Sequence, residues 1–225
     1  MKTSKALHWT LLLYCVLFFG IWAVFELWFR DVLDGWAASV GAGEWILQLL
    51  KSGVIKNLVW TLPAFWLMGH FAEEMHISRK EMLTQKVNWL PWLPWIGLFL
   101  LYAAAAAWVN HGRIGLSPEW KPTDLIWIAF VGITEESVFR GWLLNSTVKE
   151  GRTWQAVLVN ALLFLAIHFP KWISEGIFVY AFTSFGFLEV MALSVLFSWS
   201  FLKSRSLAVP VVLHVLYDLF VVVIG

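Results

Sequence analysis

A small set of polar residues in the C-terminal half of this chain stands where packing alone does not explain them. Glu135, Glu136 and Arg140 fall within residues 123–144, a run otherwise apolar enough to cross a bilayer. His168 closes Phe164-Leu-Ala-Ile-His168 near the end of a second apolar run, and His214-Val-Leu-Tyr-Asp218 sits in the middle of a third. A charged side chain near a bilayer centre costs at least ~2.5–3.5 kcal/mol on insertion scales, so such residues should face a protein interior and act there. Glu136 and Arg140 are one helical turn apart and can pair. Glu135 lies about 100° around the helix from Glu136 and is the carboxylate left free once that pair forms. His214 and Asp218 are also one turn apart, the spacing at which a carboxylate can fix an imidazole's tautomer and orientation.

Two chemistries fit this inventory. Two histidines and a glutamate are a common ligand set of catalytic zinc, with the fourth position left for water, and Glu135, His168 and His214 would be those ligands. The same residues suit general-base hydrolysis without metal, with Glu135 and His168 deprotonating a water and His214 stabilising the oxyanion. Depth along the helices gives a partial check. Glu135 comes out about 12 Å from the cytosolic boundary and His214 roughly 10 Å from it, whereas His168 comes out roughly 10 Å further toward the outside.

The elements that must position these residues are transmembrane helices. The chain has 225 residues, 60% hydrophobic and 14% charged, with a mean hydropathy of +0.73. Such a composition points to an all-α, polytopic membrane protein. Apolar runs fall at about 7–29, 54–71, 90–109, 123–144, 154–169, 176–202 and 206–224, predicting seven or eight membrane helices. The fifth run ends at Pro170, the sixth is interrupted by Thr183-Ser-Phe-Gly186, and residues 34–50 read as an interfacial helix. The N-terminal apolar stretch is too long for a signal peptide and reads as a retained first span. Lys and Arg are in modest excess on the side that would hold Lys2 and Lys5, which places the N-terminus inside and leaves the sequon Asn145-Ser-Thr147 in the cytosol, unmodified. Trp89-Leu-Pro-Trp-Leu-Pro-Trp95 reads as part of an aromatic belt. A net charge of +1 gives no sign of nucleic-acid binding, and the single Cys15 excludes an internal disulfide. No repeat or separate soluble domain is visible. Residues 1–225 read as a single membrane domain, with 1–110 accessory and 111–225 the catalytic core. His70, Glu73, Glu74 and His76 mimic metal spacing but read as a solvated helix end; Glu26 should reach the interface, and Glu189 could line the cavity as a substrate or water contact.

The three motifs, in this order, resemble the signature of the CPBP intramembrane protease family, also called the Abi or type II CAAX prenyl endopeptidase family. Its pattern is E-E-x-x-x-R, then F-x-x-x-H, then H-x-x-x-N or D. Here it stands as Glu135-Glu136-Ser-Val-Phe-Arg140, Phe164 to His168 and His214 to Asp218, with Gly141 also typical. The resemblance covers about residues 123–220. It implies a conical catalytic cavity formed by the C-terminal four helices, and hydrolysis of a peptide bond in a membrane-associated or lipidated peptide or protein. It further implies Glu135 as base or ligand, Glu136 and Arg140 as its support, His168 as a partner in water activation, and His214 with Asp218 as the oxyanion or second metal side. Asp218 departs from the Asn of the eukaryotic enzymes. An ionised Asp cannot donate a hydrogen bond, so orienting His214 or joining a metal such as Zn2+ suits it better than an oxyanion role. The resemblance fits a bacterial inner-membrane protein. Its expected partners are a peptide or protein substrate and the lipid bilayer, and oligomeric state is left open. A non-catalytic scaffold or immunity protein that binds a peptide or partner protein is the alternative. A proton-coupled transporter is weakened by the lack of a repeat between the two halves.

Overall fold

The computed structural model describes residues 4–225, so Lys2, one of the charges behind the expected orientation, lies outside the described residues. The described residues are mostly helical. Among the described residues the only β pairing is an isolated bridge between Leu116 and Ile224. Helix α1 spans Lys5–Val40, α2 residues 44–70, α3 Arg79–Thr84, α4 Leu90–His111, α5 residues 124–147, α6 Thr153–Ser174, α7 Phe178–Thr183, α8 Gly186–Ser204 and α9 Ala208–Val223. Four of them, α1, α4, α6 and α8, are long and apolar enough to cross a membrane. The apolar helices make this a multi-pass membrane protein.

Several boundaries differ from the sequence reading, each for a local reason. Helix α1 continues past residue 29 to Val40 and stops where Gly41 takes a left-handed φ of 65°. The expected interfacial helix over 34–50 is therefore the end of α1 and the start of α2. Pro170 lies inside α6, not at its end. Pro170 removes one backbone hydrogen bond from the helix, and there Trp172 and Phe169 hold the turn by packing on Phe182. The break at Thr183-Ser-Phe-Gly186 does occur: α7 ends at Thr183, and Phe185 bridges to α8 in the left-handed region at φ 62°. Trp92 and Trp95 do not simply face lipid. They pack on Trp199 of α8 with ring centroids 5.3 and 6.0 Å away.

Helix α9 packs on α5, α4 and α8, and α8 packs on α6. At Gly132 of α5, a Cβ would come within 2.7 Å of Val215 Cγ2 and 3.4 Å of the Val211 carbonyl. Only glycine lets α5 and α9 come this near, one turn before Glu136 and beside His214. The C-terminal end of α5 is clamped by Asn145, fully buried, which donates to the Ile77 carbonyl at 2.8 Å and accepts from the Ile77 N–H at 2.7 Å. That amide is therefore committed to the fold. The His70–His76 segment is also structural: Glu74 accepts from the Ser4 N–H and hydroxyl at 2.8 and 2.7 Å, tying it to the start of α1.

A surface tie joins α3 to the α8–α9 turn. Arg205 Nη2 donates to Glu81 Oε2 at 2.9 Å, and this hydrogen bond holds the solvent-facing Glu81 carboxyl below its ordinary 4.5. A lowered carboxyl stabilises the fold fully above its unfolded value and loses that contribution as pH falls through the folded one. Wild type and Glu81→Gln are thus expected to differ slightly in melting temperature at pH 7, with the difference shrinking as pH falls below about 4 and vanishing once the lowered folded value is passed. A difference that persists at low pH would refute the charge-based account.

Candidate active site

Glu136 and Arg140 lie on one face of α5, both with no exposed surface. Arg140 Nη1 donates to Glu136 Oε1 at 3.0 Å, and Nη2 donates to the Ser194 carbonyl and hydroxyl at 2.9 and 2.8 Å. The guanidinium is held between the rings of Phe164 and Phe197, with Cζ 4.6 and 5.4 Å from their centroids. These bonds offset part of the cost of burying the charge pair, and they leave Arg140 Nε and Glu136 Oε2 buried without a hydrogen-bond partner. From Ser137 to Leu144 the helix widens into π geometry, and the Asn160 amide of α6 donates to the Phe139 carbonyl there at 2.8 Å. Ser194, Phe197 and Asn160 carried no sequence signal of their own, because small polar and aromatic residues in apolar runs are ordinary.

The same Glu136 oxygen lies 2.8 Å from His214 Nδ1. A carboxylate can only accept here, so Nδ1 carries the proton and Nε2 turns toward the cavity. Phe197 stacks on this imidazole at 4.9 Å, and Phe164 meets it edge-on at 6.0 Å. Orientation of His214 thus falls to Glu136. Asp218, expected to provide it, stands 3.6 Å from Nε2, beyond hydrogen-bond range. The rise of one turn from 214 to 218 carries Asp218 to the opposite side of the ring.

Glu135 is the free carboxylate that the helical geometry required. It is 7% exposed, its Oε2 is buried without a hydrogen-bond partner, and that oxygen lies 4.0 Å from His214 Nε2. His168 Nδ1 is 2.8 Å from the Phe164 carbonyl, an acceptor, which leaves Nε2 as a bare acceptor. Despite the depth mismatch along the sequence, His168 lines the same cavity of about 610 Å³ as Glu135, His214 and Asp218. All the predicted site residues therefore meet: four on the cavity wall, with Glu136 and Arg140 directly behind.

The other wall comes from the N-terminal helices, which the sequence marked as accessory. Glu26 of α1 is buried rather than interfacial, and accepts from Lys56 Nζ at 3.0 Å and from Arg30 Nη1 at 3.2 Å. Lys56 also lies 4.4 Å over the Trp22 ring. All four line the cavity. Glu26 and Lys56 are 30 residues apart on different helices, so no local spacing announces them.

Residues 118–220 match the family model described as type II CAAX prenyl endopeptidase Rce1-like. This C-terminal region, just under half of the chain, is similar to that family. No curated protein and no solved structure matches the chain. The Rce1-like region contains every residue of the three motifs and points to a CAAX-protease-like, intramembrane hydrolase. For zinc, the donor types suit: two imidazoles with free Nε2 atoms and an unpartnered carboxylate oxygen. Their placement does not, since among the described residues no three His, Cys, Asp or Glu side chains converge on one metal position.

Proposed function

We propose that this protein is an intramembrane endopeptidase that hydrolyses a peptide bond of a membrane-associated or lipidated peptide or protein. One observation carries the reading: a carboxylate oxygen of Glu135 buried without a partner on a cavity wall shared with two oriented imidazoles. An unpaired buried polar group costs free energy and persists where function uses it. Water bound against Glu135 and the His168 Nε2 lone pair gives its proton to Glu135 as its oxygen attacks the scissile carbonyl. The carbonyl becomes an oxyanion, which protonated His214 stabilises by donating from Nε2, held by Glu136 behind it. Collapse of this intermediate expels the amine, which takes the proton from Glu135. Asp218, an acceptor when ionised, stays beside His214 as a charge partner.

In this reading α2, α5 and α9 join the four long apolar helices as spans, with the N-terminus inside and the protein in a bacterial inner membrane. The alternative is a scaffold or immunity protein that binds a peptide without cleaving it. The deciding experiment is cleavage of a peptide library, including prenylated members, by purified protein in liposomes, with Glu135→Gln and His214→Ala alongside and bound zinc measured. Cleavage by wild type alone supports the peptidase. Stoichiometric zinc lost in the variants would add a metal to the mechanism, and equal peptide binding with no cleavage would favour the scaffold.

A further inference from the structure

His168, His214 and Asp218 are shared between two chambers. Beyond them, on the side away from Glu135, lies a second cavity of about 510 Å³ between α6, α7, α8 and α9. Tyr102, Trp172, Tyr180 and Tyr217 give it aromatic walls, while Phe164 and Phe197 reach it with rings already engaged by Arg140. Two carboxylates line it, Asp218 and Glu189, and among the described residues no Lys or Arg does. Asp218 has His214 beside it. Glu189 has only tyrosine hydroxyls around it, Tyr217, which donates to its Oε1, and the neighbouring Tyr102, and among the described residues no cation reaches it. His214, 6% exposed, meets this wall with an Nε2 that makes no hydrogen bond, so the chamber adjoins the point of attack.

A carboxylate in an apolar span with only neutral partners lacks its counter-charge. Aromatic faces around a carboxylate are the surroundings that attract an ammonium or guanidinium group. We propose that this chamber is a specificity pocket for a basic side chain, Lys or Arg, of the substrate close to the scissile bond, with Glu189 as the group that reads it and Tyr217 as its positioning residue.

This inference rests on the peptidase reading, and its test separates the two. Peptides identical except for Lys, Arg, norleucine or Glu at positions flanking the cleaved bond are compared on wild type, Glu189→Gln and Tyr217→Phe. Wild type is expected to favour Lys over norleucine by roughly tenfold in kcat/KM, mostly through KM, with the ratio falling to near one in Glu189→Gln and part-way in Tyr217→Phe. Equal cleavage of Lys and norleucine peptides, or a preference that survives Glu189→Gln, overturns the pocket. Binding of fluorescent Lys and norleucine peptides to the same proteins covers the case of no cleavage. Lys-selective binding that requires Glu189 would keep the pocket while the peptidase reading fails, and unselective binding would reject the pocket.

Discussion

Glu135→Gln is expected to lower peptide hydrolysis roughly 100- to 10,000-fold, the range over which a positioned general base contributes, without lowering thermal stability. The two halves of this expectation come from one atom. Glu135 Oε2 is buried with no hydrogen-bond partner, so the native fold bears the cost of an unsatisfied, ionisable group. Gln keeps the shape and removes the charge, so the melting temperature in detergent should stay level or rise. Loss of activity with unchanged or increased stability is the pattern of a residue kept for function. Activity within a few-fold of wild type would remove Glu135 from the chemistry. A collapse in melting temperature would make it a structural residue instead.

Arg140→Ala should do the opposite and act mainly on the fold. The substitution removes the hydrogen bonds to Glu136 and to both oxygens of Ser194, and leaves Glu136 buried with only His214 as a partner. Breaking a buried pair from one side costs about 3–5 kcal/mol, because the remaining charge is stranded. Arg140→Met combined with Glu136→Gln removes both charges and should cost markedly less, although His214 then loses its anchor and activity falls. Denaturant unfolding of both variants decides this. An Arg140→Ala protein as stable as wild type would show that Arg140 does not hold α5 to α8.

The difference between the two neighbouring glutamates is a consequence of helix geometry and is legible in the sequence. A residue one step along the helix points about 100° away, so when Glu136 turns inward to Arg140, Glu135 must face elsewhere. Packing sends Glu135 to the cavity. What one-turn spacing could not reveal is a partner on another helix. His214 and Asp218 are spaced to interact, yet Glu136 of α5 holds Nδ1 because the Gly132 contact brings α5 and α9 close enough. Depth counting along α6 set His168 apart from Glu135, yet both line one cavity. Counting residues along a helix gives height only relative to an assumed helix start, and the packing of α6 against α8 decides where that helix sits.

Composition and residue spacing were enough for the all-helical membrane class, the three motifs of the Rce1-like region and the singular position of Glu135. These depend on composition and on helical periodicity, which are local. It took the packing of the helices to set Glu136 rather than Asp218 on His214, to enclose Arg140 with Ser194 and two phenylalanines, and to complete the cavity with Glu26 and Lys56 of the N-terminal helices. Those contacts join residues tens of positions apart through the way whole helices pack, and no spacing within one helix encodes them.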